Sequence, residues 1–359
     1  MEPIERNELG PAARTEHPGG PDPGGPDPGG PGPGGAGPGG AADSIARRRL
    51  RTYALAAVIT NIGIVFSGGL VRVTGSGLGC PTWPMCDGNN LVPLPGGEHS
   101  GIQTAIEFGN RLLSFVVLAS VVAVFVQVRR TRPHPPTIER LTWVLPIGVL
   151  AQIVLGGITV LTQLSPLTVA GHFLLSMVLI FAAVSLYHRV QPAPTGADAE
   201  PVGAGLRWAT TALAVVAAIV LVLGTLVTGA GPHAGDPDVG RLGLDIRIMA
   251  IAHADAVWAL VGLTIALVAV TWRSGPPRLR TALRVLLGLQ LLQGAVGYTQ
   301  YALGIPAALV AVHILGAALM WATVTTVWVF ARPQLEPGAD DEPGPGTEHE
   351  RTAPSPLRS

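Results

Sequence analysis

PLTVAGHFLLSMVLIFAAVSLYH, residues 166–188, is a nearly unbroken apolar run carrying one imidazole, His172, close to its start and ending on a second, His188. A helix crossing the hydrocarbon of a bilayer needs roughly 20 mostly apolar residues, and this stretch is long enough. Working outward, similar runs fill the chain from Tyr53 to Phe330. They mark spans at 53–73, 107–128, 141–162, 166–188, 207–229, 247–271, 281–301 and 305–330. The predicted fold class is an all-α membrane protein with eight transmembrane helices.

Composition agrees with a chain buried in lipid. The 359 residues are 48% hydrophobic and 13% charged, with a formal net charge of +0, a balance unlike that of a water-soluble enzyme. No nucleic-acid partner is expected; membrane lipid is. Residues 1–46 precede any apolar run and repeat PDPGG, so they are read as a disordered tail, and 333–359 as a second one. The first apolar segment lies too far into the chain for a signal peptide.

Charge placement sets the orientation. Arg47, Arg48, Arg49 and Arg51 precede span one; Arg129, Arg130, Arg132 and Arg140 separate spans two and three; Arg189 and Arg207 separate four and five; Arg273, Arg278 and Arg280 separate six and seven. These are alternate loops, so the positive-inside rule puts them and both termini in the cytoplasm of a cell in whose plasma membrane the protein sits. The loop 74–106 has no Arg and faces outward.

The chain also reads as a repeat. Thr74-Gly75-Ser76-Gly77 closes span one as Thr228-Gly229-Ala230-Gly231 closes span five. Leu155-Gly156-Gly157-Ile158 pairs with Gln293-Gly294-Ala295-Val296, and Pro166 then His172 with Pro306 then His313. Four spans recur with the same topology, which predicts two four-helix bundles, 47–190 and 207–332, joined by a linker at 191–206 and related by a pseudo-twofold axis along the membrane normal.

Of nine histidines, only His172, His253 and His313 lie inside spans. Ionisable groups are costly there and tend to be functional. At about 1.5 Å per residue, His172, His253 and His313 lie roughly 9, 9 and 10 Å below the outer ends of their spans. His253 and His313 are on helices running the same way, so two imidazoles at one level can hold a haem iron between them. In the first half the position equivalent to His253 is Asn110, a poor iron ligand, which predicts an asymmetric site on His172. Glu107 lies one turn before Asn110 and one before Arg111. It is either an ion-pair partner of Arg111 at i, i+4 or a carboxylate poised to take a proton. Arg72 and Arg111, at outer span ends, can bind propionates or reach lipid headgroups. Cys80 and Cys86 suggest a disulfide, as a staple or as a redox-active pair.

GGLVRVTGSGLGC with the following WPMC, IEFGNR, LTVAGHFLLS, TLVTGAGPHAGD and the His313 region resemble the haem A synthases (the CtaA/Cox15 family), in order, from Tyr53 to Phe330. The resemblance implies oxidation of the methyl group at position 8 of haem O to a formyl group by two successive hydroxylations, yielding haem A for terminal oxidases. It implies a resident haem b on His253 and His313, haem O as substrate on His172, and Glu107 as the essential acidic residue. Cys80 and Cys86 match the family's outer-loop pair. The sequence departs at Asn110, where many members have His, and lacks a cysteine pair in the 230–246 loop. An electron donor or acceptor, not identified by the sequence, is implied. Contact with haem O synthase (protohaem farnesyltransferase) is expected, since the apolar substrate would otherwise escape into lipid. A two-haem electron-transfer protein is the alternative function.

Overall fold

The computed structural model describes residues 38–86, 89–93, 101–232, 240–273 and 275–333. Most of both tails expected to be disordered lies outside these residues. The described part holds eight α-helices: α1 (Pro38–Val73), α2 (Gly101–Arg130), α3 (Pro136–Leu161), α4 (Pro166–Arg189), α5 (Ala204–Ala230), α6 (Ile246–Thr271), α7 (Pro277–Ala302) and α8 (Ala307–Phe330). Between α4 and α5 runs a 3-10 turn, Gly196–Asp198. One boundary differs from expectation. Helix α1 starts within the stretch read as tail, because the Arg- and Ala-rich segment before the first span is a good helix former and gains an Asp43–Arg47 pair at i, i+4.

Seven of these helices are long and apolar enough to cross a membrane. The exception is α7, of 26 residues, which carries Arg278, Arg280 and Arg284 and turns two polar residues, Gln290 and Gln293, inward. Gln290, 2% exposed, donates to Thr264 Oγ1 at 2.9 Å, and Gln293 donates to the His313 carbonyl. A polar group inside a bundle is satisfied by a neighbouring helix, so averaging over α7 hides an apolar outer face that includes Leu291 and Leu292. Large apolar side chains cover the exterior as well as filling the core. Phe115, Ile147, Val270 and Trp208 face outward while Thr210, Thr264 and Thr325 are buried. Such an apolar exterior belongs in lipid.

Consecutive helices pack as antiparallel neighbours, with α3 on α4, α5 on α6 and α7 on α8. Proline opens α3, α4 and α7 at the first helical position, where its missing N–H costs nothing. Asp245 caps α6 by accepting from the Arg247 and Ile248 amides. Helix α4 belongs to both hydrophobic clusters. Leu179, Ala183 and Leu186 share one cluster with residues of α1, α2 and α3, whereas Met177, Ile180 and Val184 share the other with residues of α5, α7 and α8. The Trp321 indole of α8 donates to the Met177 carbonyl of α4 at 2.8 Å across this seam. Trp321→Phe is expected to lower stability by about 0.6–1.7 kcal/mol, the worth of an interhelical hydrogen bond in a membrane, measured by thermal unfolding in detergent.

The turns that set the depth of His172 and His313 match. Leu164 N–H bonds the Thr159 carbonyl and Ile305 N–H the Gln300 carbonyl, each reaching back into the preceding helix. Leu164 and Ile305 both have positive φ, 60° and 64°, a conformation unfavourable for non-glycine residues. In this register Ser165 and Pro306 are the N-caps. Pro166 therefore corresponds to Ala307 and not to Pro306, one residue from the pairing expected.

Candidate functional site

Each intramembrane imidazole lies against a glycine of the preceding helix. A methyl group added to Gly156 would lie 3.2 Å from Cε1 of His172, one on Gly224 3.2 Å from Cε1 of His253, and one on Gly297 3.5 Å from Cε1 of His313. Glycine here lets the helices close on the ring without a Cβ between them. Below two of these rings the supports are the same. Gln152 donates to the His172 carbonyl at 3.0 Å, and Gln293 to the His313 carbonyl at 2.9 Å. The recurring unit is thus Gln-x-x-x-Gly, Gln152 to Gly156 and Gln293 to Gly297. The pairing of Leu155-Gly156-Gly157-Ile158 with Gln293-Gly294-Ala295-Val296 is three residues out of register, because it sets Gly156 against Gly294, whereas the Gln–His contacts set Gly156 against Gly297.

The rings differ in their hydrogen bonds. His253 Nδ1 lies 3.0 Å from the Val220 carbonyl. A carbonyl only accepts, so Nδ1 carries the proton and Nε2 keeps its lone pair. His172 Nδ1 and His313 Nδ1 are buried with no hydrogen-bond partner among the described residues. His253 and His313 are near enough to interact electrostatically, yet α6 and α8 do not pack directly on each other; nor do α2 and α4. No group of three or more His, Cys, Asp or Glu side chains gathers as a chelating metal site among the described residues. The imidazoles stand singly, one per helix.

Glu107 and Arg111 join α2 to the cysteine loop that follows α1. Glu107 is 4% exposed; its Oε1 accepts from Arg111 Nε at 3.1 Å and Nη2 at 2.7 Å, and its Oε2 accepts from the Cys80 amide at 2.7 Å. Arg111 also donates to the carbonyls of Thr82, Met85 and Cys80 at 3.0, 3.0 and 2.7 Å. A guanidinium has five N–H donors, and these contacts use all of them. The i, i+4 pair is therefore formed, and Arg111 has no donor left for a propionate in this arrangement. Cys80 and Cys86 form a buried disulfide within the loop.

Of the other expected site residues, Asn110 accepts from Ser67 Oγ of α1 at 2.6 Å. Arg72 lies in the last turn of α1 within electrostatic reach of Arg241, which belongs to the α5–α6 connection. Sequence reasoning missed several groups. Trp83 of the disulfide loop lies so close to Gly157 that any Cβ there would overlap the indole, placing Trp83 one residue from the glycine that touches His172. Asp255 is exposed on α6 two residues beyond His253, and an ionisable residue inside a span was the signal that should have drawn notice. Gln152 and Gln293 each lie twenty positions before their histidine, a spacing visible in the sequence once the histidines are aligned.

These features define a helical membrane protein with single histidines set on glycine cradles between its helices. Residues 51–325 match the COX15-CtaA family, described as a cytochrome oxidase assembly protein, and the chain belongs to that family. A haem A synthase of Lysinibacillus sphaericus (strain C3-41) is 32% identical over 183 residues, covering 50% of this chain and 58% of that protein. One of Symbiobacterium thermophilum is 31% identical, covering 51% and 60%. The chain thus spans less than two thirds of the length of these relatives. A protohaem IX farnesyltransferase of Thermus thermophilus is 37% identical over 90 residues, 24% of this chain and 14% of that protein.

Proposed function

We propose that this chain is a haem A synthase, an oxidoreductase that converts the position-8 methyl of haem O to a formyl group. The observation that carries the reading is the recurrence of a glycine-backed imidazole at matched depth on α4 and α8, with a third on α6. The donor set suits haem. Nε2 of His253 is left basic by the Nδ1 hydrogen bond, His313 is its electrostatic neighbour, and α6 and α8 stand apart as a flat macrocycle between them requires. In this reading His253 and His313 hold haem b, which when bound supplies one-electron chemistry; its electron donor or acceptor is a separate partner.

Haem O is held as substrate on His172, beside Asn110. Asn110 is tied to Ser67 and supplies no second imidazole, so one face of the substrate iron is left for chemistry. Glu107 is the proton-handling carboxylate at the reacting edge, and Arg111 fixes its position. Arg72 and Arg241 form a pair of cations suited to propionates at the outer rim. All eight helices span the plasma membrane, with both termini cytoplasmic and the halves related by a pseudo-twofold axis. The similarity to a protein named for farnesyl transfer to protohaem supports a contact with haem O synthase.

Pigment extraction tests this. Cells supplied with haem O and expressing the wild type are expected to accumulate haem A, and cells expressing His172→Ala to retain haem O. A colourless wild-type preparation from haem-replete cells would overturn the reading, while two low-spin bis-imidazole haems with no haem A would favour an electron-transfer protein.

A further inference from the structure

A cavity of about 340 Å³ opens at the Arg-rich end of the bundle, where the two halves meet. Its walls are His188 at the end of α4, the linker through Gln191 and Thr195, Asp198, Arg278 in the first turn of α7, and Phe330 at the end of α8. The Phe330 ring meets the His188 ring edge-on, with centroids 4.8 Å apart, and carries the Arg278 guanidinium over its face at 4.9 Å. Three more cations lie at this seam. Arg332 donates to Thr211 Oγ1 at 2.6 Å, and that same hydroxyl donates to the Arg207 carbonyl at 2.8 Å. Burial and the neighbouring charges of Arg189 and Arg207 hold the Arg332 guanidinium below its ordinary range.

Positive charge is not balanced here. Asp198 is the carboxylate lining the cavity, and its Oδ1 accepts from the Arg278 backbone amide at 2.8 Å. Among the described residues, Nε of Arg189 and Nε of Arg278 are buried with no hydrogen-bond partner. A buried guanidinium N–H without an acceptor is costly. Arginines that merely served orientation would extend to the headgroup layer; Arg278 instead folds over Phe330 inside the seam.

We propose that this seam is a binding site for a phosphate group, held by Arg278 in the cavity with Arg189, Arg207 and Arg332 supplying the surrounding positive field. Planar guanidinium groups match phosphate oxygens bidentately, and basic pockets between membrane helices take anionic lipid headgroups. The phosphate belongs either to such a lipid or to a free ion. Because the cavity joins the α4–α5 linker to the ends of α4, α7 and α8, occupancy would tie the two halves together. The site is independent of haem.

The test uses purified full-length protein in nanodiscs of phosphatidylcholine, with and without phosphatidylglycerol, and with inorganic phosphate titrated into the former. Thermal unfolding is followed by circular dichroism. Phosphatidylglycerol is expected to raise the wild-type midpoint by several degrees. The rise should fall by at least half in Arg278→Gln and in Arg332→Gln, and persist in Arg48→Gln, an exposed cation of α1. Native mass spectrometry should find one phosphatidylglycerol retained by the wild type. The same rise from inorganic phosphate in phosphatidylcholine discs would identify a free ion as the ligand. No rise with either probe, or an equal rise in all three variants, overturns the proposal. Should neither seam variant fold, the wild type decides it, since a midpoint unmoved by both probes refutes the site.

Discussion

Arg111→Ala is expected to cost about 3 kcal/mol of stability, to expose the Cys80–Cys86 disulfide to reductant and to cut haem A formation by about tenfold or more. Removing one partner of a buried pair leaves an uncompensated charge, at a typical cost of about 3–5 kcal/mol; the lower end applies because Arg111 is less buried than Glu107. Three loop carbonyls lose their donor in the same step. Glu107→Gln separates the two roles. It keeps an amide oxygen for the Arg111 or Cys80 N–H but loses the charge and sets an N–H donor against the other, so stability should drop by about 2 kcal/mol, less than in Arg111→Ala, which also strips three carbonyls of their donor. Haem A formation, by contrast, should fall as far as in Arg111→Ala if the carboxylate handles protons. Thermal unfolding, maleimide labelling after mild reduction and haem extraction read the three effects. Wild-type resistance to reductant in Arg111→Ala would show that the loop does not depend on this pair.

That arrangement also shows what a sequence reveals and what it hides. The spans were legible because lipid asks one thing of a helix surface, and runs such as residues 166–188 supply it with no periodicity to decode. The three intramembrane histidines stood out for the same reason, as costly exceptions. Glu107 with Arg111 could be read as a local pair, since i, i+4 neighbours share a helix face. That Arg111 spends its remaining donors on Thr82, Met85 and Cys80 could not, because those carbonyls lie 26 to 31 positions away in an irregular loop. Helix α7 is ambiguous by hydropathy since Gln290 and Gln293 are polar and inward, a distinction that exists only once α6 and α8 are in place. The α3–α7 register of the repeat is less legible: local sequence matches Gly156 to Gly294, whereas the recurring physical unit is a glutamine bonded to the backbone of a histidine twenty positions on.

The two ligand pockets of the second half should respond unequally to the same small substitution. In the proposed haem b site, His253→Ala and His313→Ala are each expected to abolish haem retention, because a single imidazole leaves the iron exposed to exchange. Gly224→Ala should weaken retention by about tenfold, a typical penalty for disturbing a group that orients a ligand, whereas Gly297→Ala should stay within about twofold of wild type. The added methyl on Gly224 would lie 3.2 Å from the His253 ring, so the ring must give way, but its Nδ1 is tied to the Val220 carbonyl. Moving it sacrifices a hydrogen bond worth about 1 kcal/mol and would turn Nε2 away from the place where it would hold the haem. At Gly297 the approach is an ordinary 3.5 Å contact, and His313 Nδ1 has no partner to lose among the described residues. Haem-to-protein ratio and transfer of haem to apomyoglobin measure the difference. Equal loss in the two glycine variants would mean that the Val220 hydrogen bond does not orient His253.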